Sequence, residues 1–246
     1  MTLAVRVIPT LLCRGRQLVK GKQFNSWRTV GMVAQAVRIH QARGVDELCM
    51  LDISATPENR GPNLDLVKEL TANCFMPLTV GGGVRSIEDV RMLLAVGADK
   101  VIIGAASHHP NLLEQCADKF GSQSIVVAID SWGTAAMKNC GRVEIGLTTL
   151  EWAQRCALAG AGEILLTSIG REGMMTGYNL ECIKMVSDVV DIPVIAHGGC
   201  GSYEHMLQAI RAGASAVAVG SLFQFGDETP RGAVEYLTQH NIEVRI

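Results

Sequence analysis

The feature of this sequence that most constrains its fold is an alternation of eight short apolar runs with longer amphipathic segments. Each run is too short for a helix, and most lack polar alternation, as in parallel strands that are buried on both faces. The runs are Val5–Leu12, Glu47–Ile53, Pro77–Val80, Lys100–Ile103, Ile125–Ile129, Glu163–Thr167, Pro193–Ala196 and Ala216–Val219. Eight such strands with helices between them in 246 residues predict one closed (β/α)8 TIM barrel.

The sequence also repeats itself at an offset of 116 residues. The segment Pro77–Gly104 matches Pro193–Gly220 at glycines, prolines and strand residues, and the unit before it repeats at the same offset. The repeat predicts two half-barrels, residues 1–120 and 121–246, that join without a linker into a single domain, residues 1–246.

Composition and charge narrow the class of partner and the compartment. The chain is 48% hydrophobic with a net charge of -2, which argues against nucleic acid or an anionic membrane as the main partner. The eight cysteines form no Cys-x-x-Cys pair and no Gly-x-Gly-x-x-Gly follows the first strand, so we expect no metal and no cofactor. Scattered thiols suit a reducing compartment, and Arg6 interrupts the first apolar run, so we expect a cytoplasmic protein without a signal peptide.

Glycine clusters after two equivalent strands favour phosphate binding. Gly81-Gly82-Gly83 and Gly198-Gly199 each lie between a strand and a helix, where free backbone N–H groups and the helix dipole attract an anion. A tight turn without a ligand is the alternative. A small-residue turn follows each cluster one strand later, which favours phosphate binding over a simple turn. The two-fold placement of the clusters suggests a substrate with a phosphate at each end. The candidate phosphate contacts are Gly82, Gly83, Gly173, Gly199, Gly220 and Ser221.

Several polar side chains follow strands at the end where barrel active sites lie. Asp130 is a candidate general acid or base, with a helix cap or an ion pair as the alternative. Its counterpart 118 residues earlier is Leu12, so a symmetric acid–base pair lacks one member. Asp52 could bind substrate or cap a helix, Glu172 is a further candidate acid, and His197 could contact substrate or serve the structure.

Charged residues mark the opposite end of the barrel. Arg6, Glu47, Lys100 and Glu163 each begin a strand, one in every second strand. Two charges of each sign can form a ring that closes the N-terminal mouth, and on general grounds such a ring would serve stability.

Across nearly its whole length the chain resembles the cyclase subunit (HisF) of imidazole glycerol phosphate synthase. The resemblance is carried by Val19-Lys20-Gly21, Asp46-Glu47-Leu48, Leu51-Asp52-Ile53, Val80-Gly81-Gly82-Gly83, Gly97-Ala98-Asp99-Lys100-Val101, Phe120-Gly121-Ser122-Gln123, residues 160–169 and Val244-Arg245. It implies a carbon–nitrogen lyase-type barrel that binds a bisphosphorylated substrate. It also implies that ammonia arrives through the barrel from a glutaminase (HisH) docked at the N-terminal face.

The resemblance gives roles to individual residues. It makes Arg6, Glu47, Lys100 and Glu163 a gate for ammonia, which replaces the stability interpretation of the ring. It places Asp99 at the glutaminase interface. It also implies that Lys20 and Thr167 contact the substrate.

Departures from the family pattern point to a branch of it. Where the family has its strand-one aspartate, this chain has Leu12. Where the family has two phosphate-binding side chains after strand four, this chain has Gly104 and Ala105. The segments Ile8-Pro9-Thr10-Leu11-Leu12 and Asn73-Cys74-Phe75-Met76-Pro77 resemble the HisF-like (AglZ-type) branch, which is tied to acetamidino modification of surface sugars. There the barrel is thought to pass ammonia from a HisH-like glutaminase to a sugar amidotransferase.

We therefore expect a HisF-like subunit of a glutamine amidotransferase complex in the sugar-amidination branch. One alternative is a working histidine-pathway cyclase in which Glu172 or water replaces the lost acid. Another is a non-catalytic conduit that only docks and activates the glutaminase.

Overall fold

A computed structural model describes residues 4–109 and 111–245 of the chain, and for Ala105 it describes the backbone alone. The strands in chain order are β1 (Arg6–Arg14), β2 (Gln17–Lys22), β3 (Asn25–Met32), β4 (Leu48–Asp52), β5 (Leu78–Gly81), β6 (Lys100–Ile103), β7 (Ile125–Trp132), β8 (Ala135–Lys138), β9 (Val143–Thr148), β10 (Glu163–Ser168), β11 (Val194–His197) and β12 (Ala216–Val219). The helices are α1 (Val33–Ala42), α2 (Leu64–Thr71), α3 (Ile87–Ala95), α4 (Leu112–Phe120), α5 (Thr149–Leu158), α6 (Leu180–Ser187), α7 (Tyr203–Arg211), α8 (Leu222–Phe225) and α9 (Pro230–Gln239), with short 3-10 turns at Ala105–His108 and Ser122–Ser124.

Eight of these strands form a closed parallel barrel. The order is β1-β4-β5-β6-β7-β10-β11-β12, and β12 pairs in parallel with β1 to complete the circle. These eight strands coincide with the eight apolar runs of the sequence, so the predicted (β/α)8 barrel is confirmed. Because parallel barrel strands are covered by helices outside and by each other inside, both faces of each strand are buried.

Two antiparallel hairpins extend the barrel beyond the predicted strands. The β2–β3 hairpin follows β1, and the β8–β9 hairpin follows β7. Cys13 pairs with Leu18 in the first half, and Ser131 pairs with Ala136 in the second, so both hairpins have the same register at an offset of 118. The sequence prediction missed them because their strands are half-exposed and carry no continuous apolar run.

Many repeated positions are explained by helix capping. The side chains of Asn63 and Asn179 each accept the N–H of the third residue of α2 and α6, and Ser86 and Ser202 do the same for α3 and α7. Each cap satisfies a backbone donor that the helix leaves unpaired. Part of the internal repeat therefore reflects helix initiation and needs no ligand.

The molecule has two apolar cores. The larger one lies between the strands and the surrounding helices, and the smaller one fills the bore of the barrel. Ile8, Ile102, Leu165 and Ile195 dominate the inner core. In the described part of the chain no helix is long and apolar enough to cross a membrane.

Candidate functional site

The C-terminal ends of the barrel strands surround a central cavity of about 410 Å³. Leu12, Asp130, Thr167 and His197 contribute its floor and walls from β1, β7, β10 and β11. The two hairpins cover its sides, with Phe24 and Trp27 from the first, and Met137, Lys138, Asn139, Cys140 and Arg142 from the second. A cavity of this size can hold a small organic molecule.

Three polar side chains lie in a row on one wall of the central cavity. In the sheet register Thr167 is the direct neighbour of both Asp130 and His197, on either side of it. The Asp130 carboxylate has no hydrogen bond or ion pair with any described residue, and burial raises its pKa to about 7. Asp130 can therefore exchange a proton near neutral pH, as a general acid or base must.

His197 is held in the same row as a neutral ring. Its Nδ1 shares a 3.0 Å hydrogen bond with Oγ1 of Thr167. Burial, with a contribution from the positive charge of Lys20, lowers its pKa to about 4. Without a bound ligand the imidazole is thus uncharged at neutral pH.

The place of the missing carboxylate is apolar. Leu12 is 3% exposed and lines the central cavity. A leucine transfers no proton, so the described wall at β1 offers no partner to Asp130.

A narrower cleft adjoins the central cavity, and His197 lines both. We call it the Lys20 cleft; it is lined by Lys20, Glu172, Gly173, Met175, His197, Gly198, Gly199, Cys200, Ala218, Gly220 and Ser221. Lys20 is 3% exposed, and burial lowers its pKa, while the negative charge of Glu172 opposes that shift. Among the described residues no carboxylate lies within ion-pair distance of its ammonium group. The cleft thus holds a buried cation with Glu172 near it but beyond ion-pair distance, which favours a further anion beside Lys20.

The structure separates the two candidate catalytic acids. Glu172 lies in the Lys20 cleft and is absent from the lining of the central cavity, where Asp130 is. Its carboxylate accepts the N–H of Phe24 at 3.5 Å, and burial raises its pKa against the opposing charge of Lys20. This placement gives no support to Glu172 as a substitute for the strand-one acid.

Asp52 has a structural role in this arrangement. Its carboxylate forms a 2.7 Å ion pair with Arg60 and accepts the N–H and the hydroxyl of Ser54, each at 3.0 Å. Asp52 borders the central cavity, but both of its oxygens are engaged by the loop after β4.

Close packing explains two of the predicted phosphate-binding glycines without a ligand. Gly82 and Gly199 have φ angles of +114° and +108°, in the region that favours glycine. A Cβ at Gly82 would collide with the carbonyl of Asp52, and one at Gly199 with the carbonyl of Gly177. These glycines are required by the fold, so their presence alone does not establish a phosphate site.

The four charges at the other end of the barrel form a closed ring. Arg6 contacts Glu47 at 2.8 Å and Glu163 at 3.1 Å, and Lys100 contacts Glu163 at 2.9 Å and Glu47 at 3.4 Å. The Thr79 hydroxyl also donates to Glu47. Although burial acts in the opposite direction, Arg6 and Lys100 hold the pKa of Glu47 below its ordinary value, so Glu47 stays ionised at neutral pH.

A small chamber lies inside the bore just above the charged ring. Glu47 and Thr79 form its polar end, and the rest of its wall is mostly apolar. Ile102 and Leu165 line both this chamber and the central cavity. The bore therefore leads from the ring toward Asp130 with a thin apolar partition between.

The model of the family described as "Histidine biosynthesis protein" matches residues 6–229, which include all eight barrel strands. The chain belongs to this family. It is thus a HisA/HisF-like barrel, and the family is one of enzymes.

One candidate residue of this histidine biosynthesis barrel was missed by the sequence reasoning. Lys138 lies 118 residues after Lys20, at the equivalent place of the second hairpin, and lines the central cavity with Gly82, Gly83 and Gly104. The loss of side-chain donors inferred for the N-terminal half is therefore incomplete. The repeat at offset 118, applied to Lys20, would have identified it.

Asp99 lies exposed at the end of the barrel where the charged ring is. Its carboxylate accepts the N–H of Leu78 at 2.8 Å and thereby satisfies the first backbone donor of β5. In residues 4–109 and 111–245 no group of three or more His, Cys, Asp or Glu side chains is arranged to hold a metal ion.

Proposed function

We propose that this barrel is the HisF-like synthase subunit of a glutamine amidotransferase complex. In this proposal a HisH-like glutaminase docks at the N-terminal mouth, near Asp99, and its ammonia crosses the charged ring into the central cavity. There it serves the modification of a phosphorylated substrate. The observation that carries the proposal is the closed ring of Arg6, Glu47, Lys100 and Glu163 over an apolar chamber.

The free-energy cost of removing charges from water favours a gate over a ring that only closes the barrel mouth. Ion pairs removed from water seldom stabilise a protein more than apolar residues of the same volume would. A barrel mouth that only had to be closed would need no charges. The side chains of Lys100 and Arg6 are 20% and 11% exposed, so the ring borders on solvent. It can therefore rearrange to admit a small neutral molecule.

The upper end of the barrel supports an anionic substrate. Lys20 supplies a buried cation that makes no ion pair among the described residues in one half, and Lys138 lines the cavity in the other. Lysine is a common ligand of phosphate. A molecule with one phosphate at Gly199, Gly220 and Ser221 would extend past His197 to Asp130.

Leu12 favours the sugar-amidination branch over ordinary cyclase chemistry. We infer that the complex supplies ammonia for the acetamidino or amidine modification of a surface-polysaccharide sugar, together with a sugar amidotransferase. Transfer of ammonia needs the ring, which is complete, and a bore whose apolar partition at Ile102 and Leu165 opens during transfer. It does not need a carboxylate at the end of β1, which is absent.

Imidazole glycerol phosphate synthase activity in histidine biosynthesis is the second candidate. The observation in its favour is that Asp130 keeps a pKa of about 7 in a cavity flanked by Lys20 and Lys138.

A steady-state assay with ammonium and the bisphosphorylated histidine-pathway intermediate separates the two candidates. We expect turnover at least about 100-fold below that of an ordinary cyclase, the loss typical of a missing acid–base group. Turnover near the ordinary rate would overturn the branch assignment. Asp130→Asn is the control, since any residual cyclase reaction should depend on it.

A further inference from the structure

His197 is placed where one molecule could touch it from two sides. It is the last residue of β11, it is 7% exposed, and it lines both the central cavity and the Lys20 cleft. A substrate whose phosphate fills the Lys20 cleft and whose body lies in the cavity must pass this ring.

The hydrogen bond with Thr167 fixes which ring nitrogen is free. Nδ1 is engaged by Thr167 Oγ1 at 3.0 Å. Nε2 has no hydrogen-bond partner among residues 4–109 and 111–245, and it is not among their fully enclosed polar atoms. If the Thr167 hydroxyl accepts the Nδ1 proton, the lone pair of Nε2 is directed at the open space, as in a general base.

The groups around His197 make its charge sensitive to an anion. Lys20 on β2 and Glu172 in the loop after β10 line the Lys20 cleft with His197, and Cys200 borders the same cleft. Asp130 lies two strands away from His197, on β7. Burial holds the pKa of His197 near 4, and the Lys20 charge adds to that effect. A phosphate beside Lys20 would neutralise this charge and add negative charge within a few ångströms, which favours the imidazolium.

We propose that a phosphate bound in the Lys20 cleft turns His197 into the second proton acceptor of the central cavity, beside Asp130 and in place of the carboxylate that Leu12 replaces. The proton leaves an N–H or O–H group of the bound molecule and goes to the Nε2 lone pair, and the electron pair of the broken bond stays on the donor atom. The acid–base pair thereby moves from opposite walls of the barrel to one wall, on β7 and β11. The inference rests on the phosphorylated substrate of the proposed function but on neither the glutaminase nor the ammonia.

The test is a pH titration of the whole protein, followed by NMR of 15N-labelled histidine. The titration is run without phosphate and with about 50 mM inorganic phosphate, a concentration chosen to saturate the cleft. The chain has six histidines, and the spectrum of His197→Gln assigns the signal. We expect phosphate to raise the apparent pKa of His197 by about one pH unit or more. Lys20→Met should abolish the effect of phosphate.

The matched control is Lys138→Met, which removes the same charge from the equivalent hairpin of the other half. The phosphate effect on His197 should persist in this variant. A titration of His197 that phosphate leaves unchanged would overturn the proposal, whether phosphate binds elsewhere or does not bind at all. Failure of the glutaminase partnership would leave the titration as expected, so the two failures are distinguishable.

Discussion

The sharpest consequence of the raised pKa of Asp130 concerns the pH dependence of stability. Its pKa rises from 3.8 to about 7 on folding because the carboxyl group is buried without a charged partner. Between these values the native state holds a proton that the unfolded state has released. The stabilisation is complete below pH 3.8 and is lost as the pH rises through about 7.

The size of the effect follows from the same numbers. Each pH unit in this window changes the free energy of unfolding by about 1.4 kcal/mol. The free energy of unfolding of wild type should therefore fall by about 3 kcal/mol between pH 5 and pH 8 from this group alone. Water in the central cavity screens part of the cost, and we expect about 2 kcal/mol to be seen. Asp130→Asn removes the titration, so its stability relative to wild type should increase by this amount from pH 5 to pH 8.

Urea denaturation followed by circular dichroism at pH 5, 6, 7 and 8 measures the difference. Asp118→Asn, at an exposed carboxyl group on α4, serves as the control and should show a difference that does not vary with pH. An equally flat difference for Asp130→Asn would refute a raised pKa at this position.

Three further substitutions test separate parts of the account. Glu47→Gln removes the buried carboxylate of the ring and leaves Arg6 and Lys100 to share Glu163, so it should cost about 3 kcal/mol at pH 7 in the same assay. A change as small as that of Glu88→Gln, at an exposed pair, would contradict it. Lys20→Met should weaken inorganic phosphate binding at least about tenfold by calorimetry, and unchanged affinity would place the anion elsewhere. Leu12→Asp should raise cyclase turnover less than about tenfold, and a gain near 10²-fold or more would indicate that the cyclase site is otherwise intact.

The barrel could be predicted from the sequence because its strands are buried on both faces. Continuous apolar runs such as Ile125–Ile129 and Ala216–Val219 leave few other folds for a chain of this length. The hairpins could not be predicted in the same way. Their strands are half-exposed, and in the β2–β3 turn the left-handed residues Gln23 and Phe24 replace the glycines that usually mark such turns.

The positions of residues along the strands predicted which of them lie at the candidate site, and the side-chain contacts in the structure corrected some of their roles. Strand ends correctly indicated that Asp130, Thr167 and His197 lie at one end of the barrel. The sequence could not show that Asp52 is engaged by Arg60, or that Glu172 lies in a different cleft from Asp130. Such assignments depend on loop geometry, which strand periodicity does not determine.

For the charged ring, in contrast, the sequence did predict the side-chain contacts. Four residues spaced over 158 positions were expected to meet only because each begins a barrel strand, and all four contacts of the closed ring are present. Their proposed purpose, unlike their geometry, stays a prediction.

The central claim, that the barrel docks a glutaminase and takes ammonia from it, is tested most directly by glutamine hydrolysis. A HisH-like glutaminase should be assayed alone and with increasing amounts of this barrel, with complex formation followed by sedimentation. The account predicts a one-to-one complex and hydrolysis stimulated by about tenfold or more, which corresponds to an activation free energy lowered by about 1.4 kcal/mol or more. Hydrolysis that the barrel leaves unchanged, with no complex at micromolar concentrations, would contradict it.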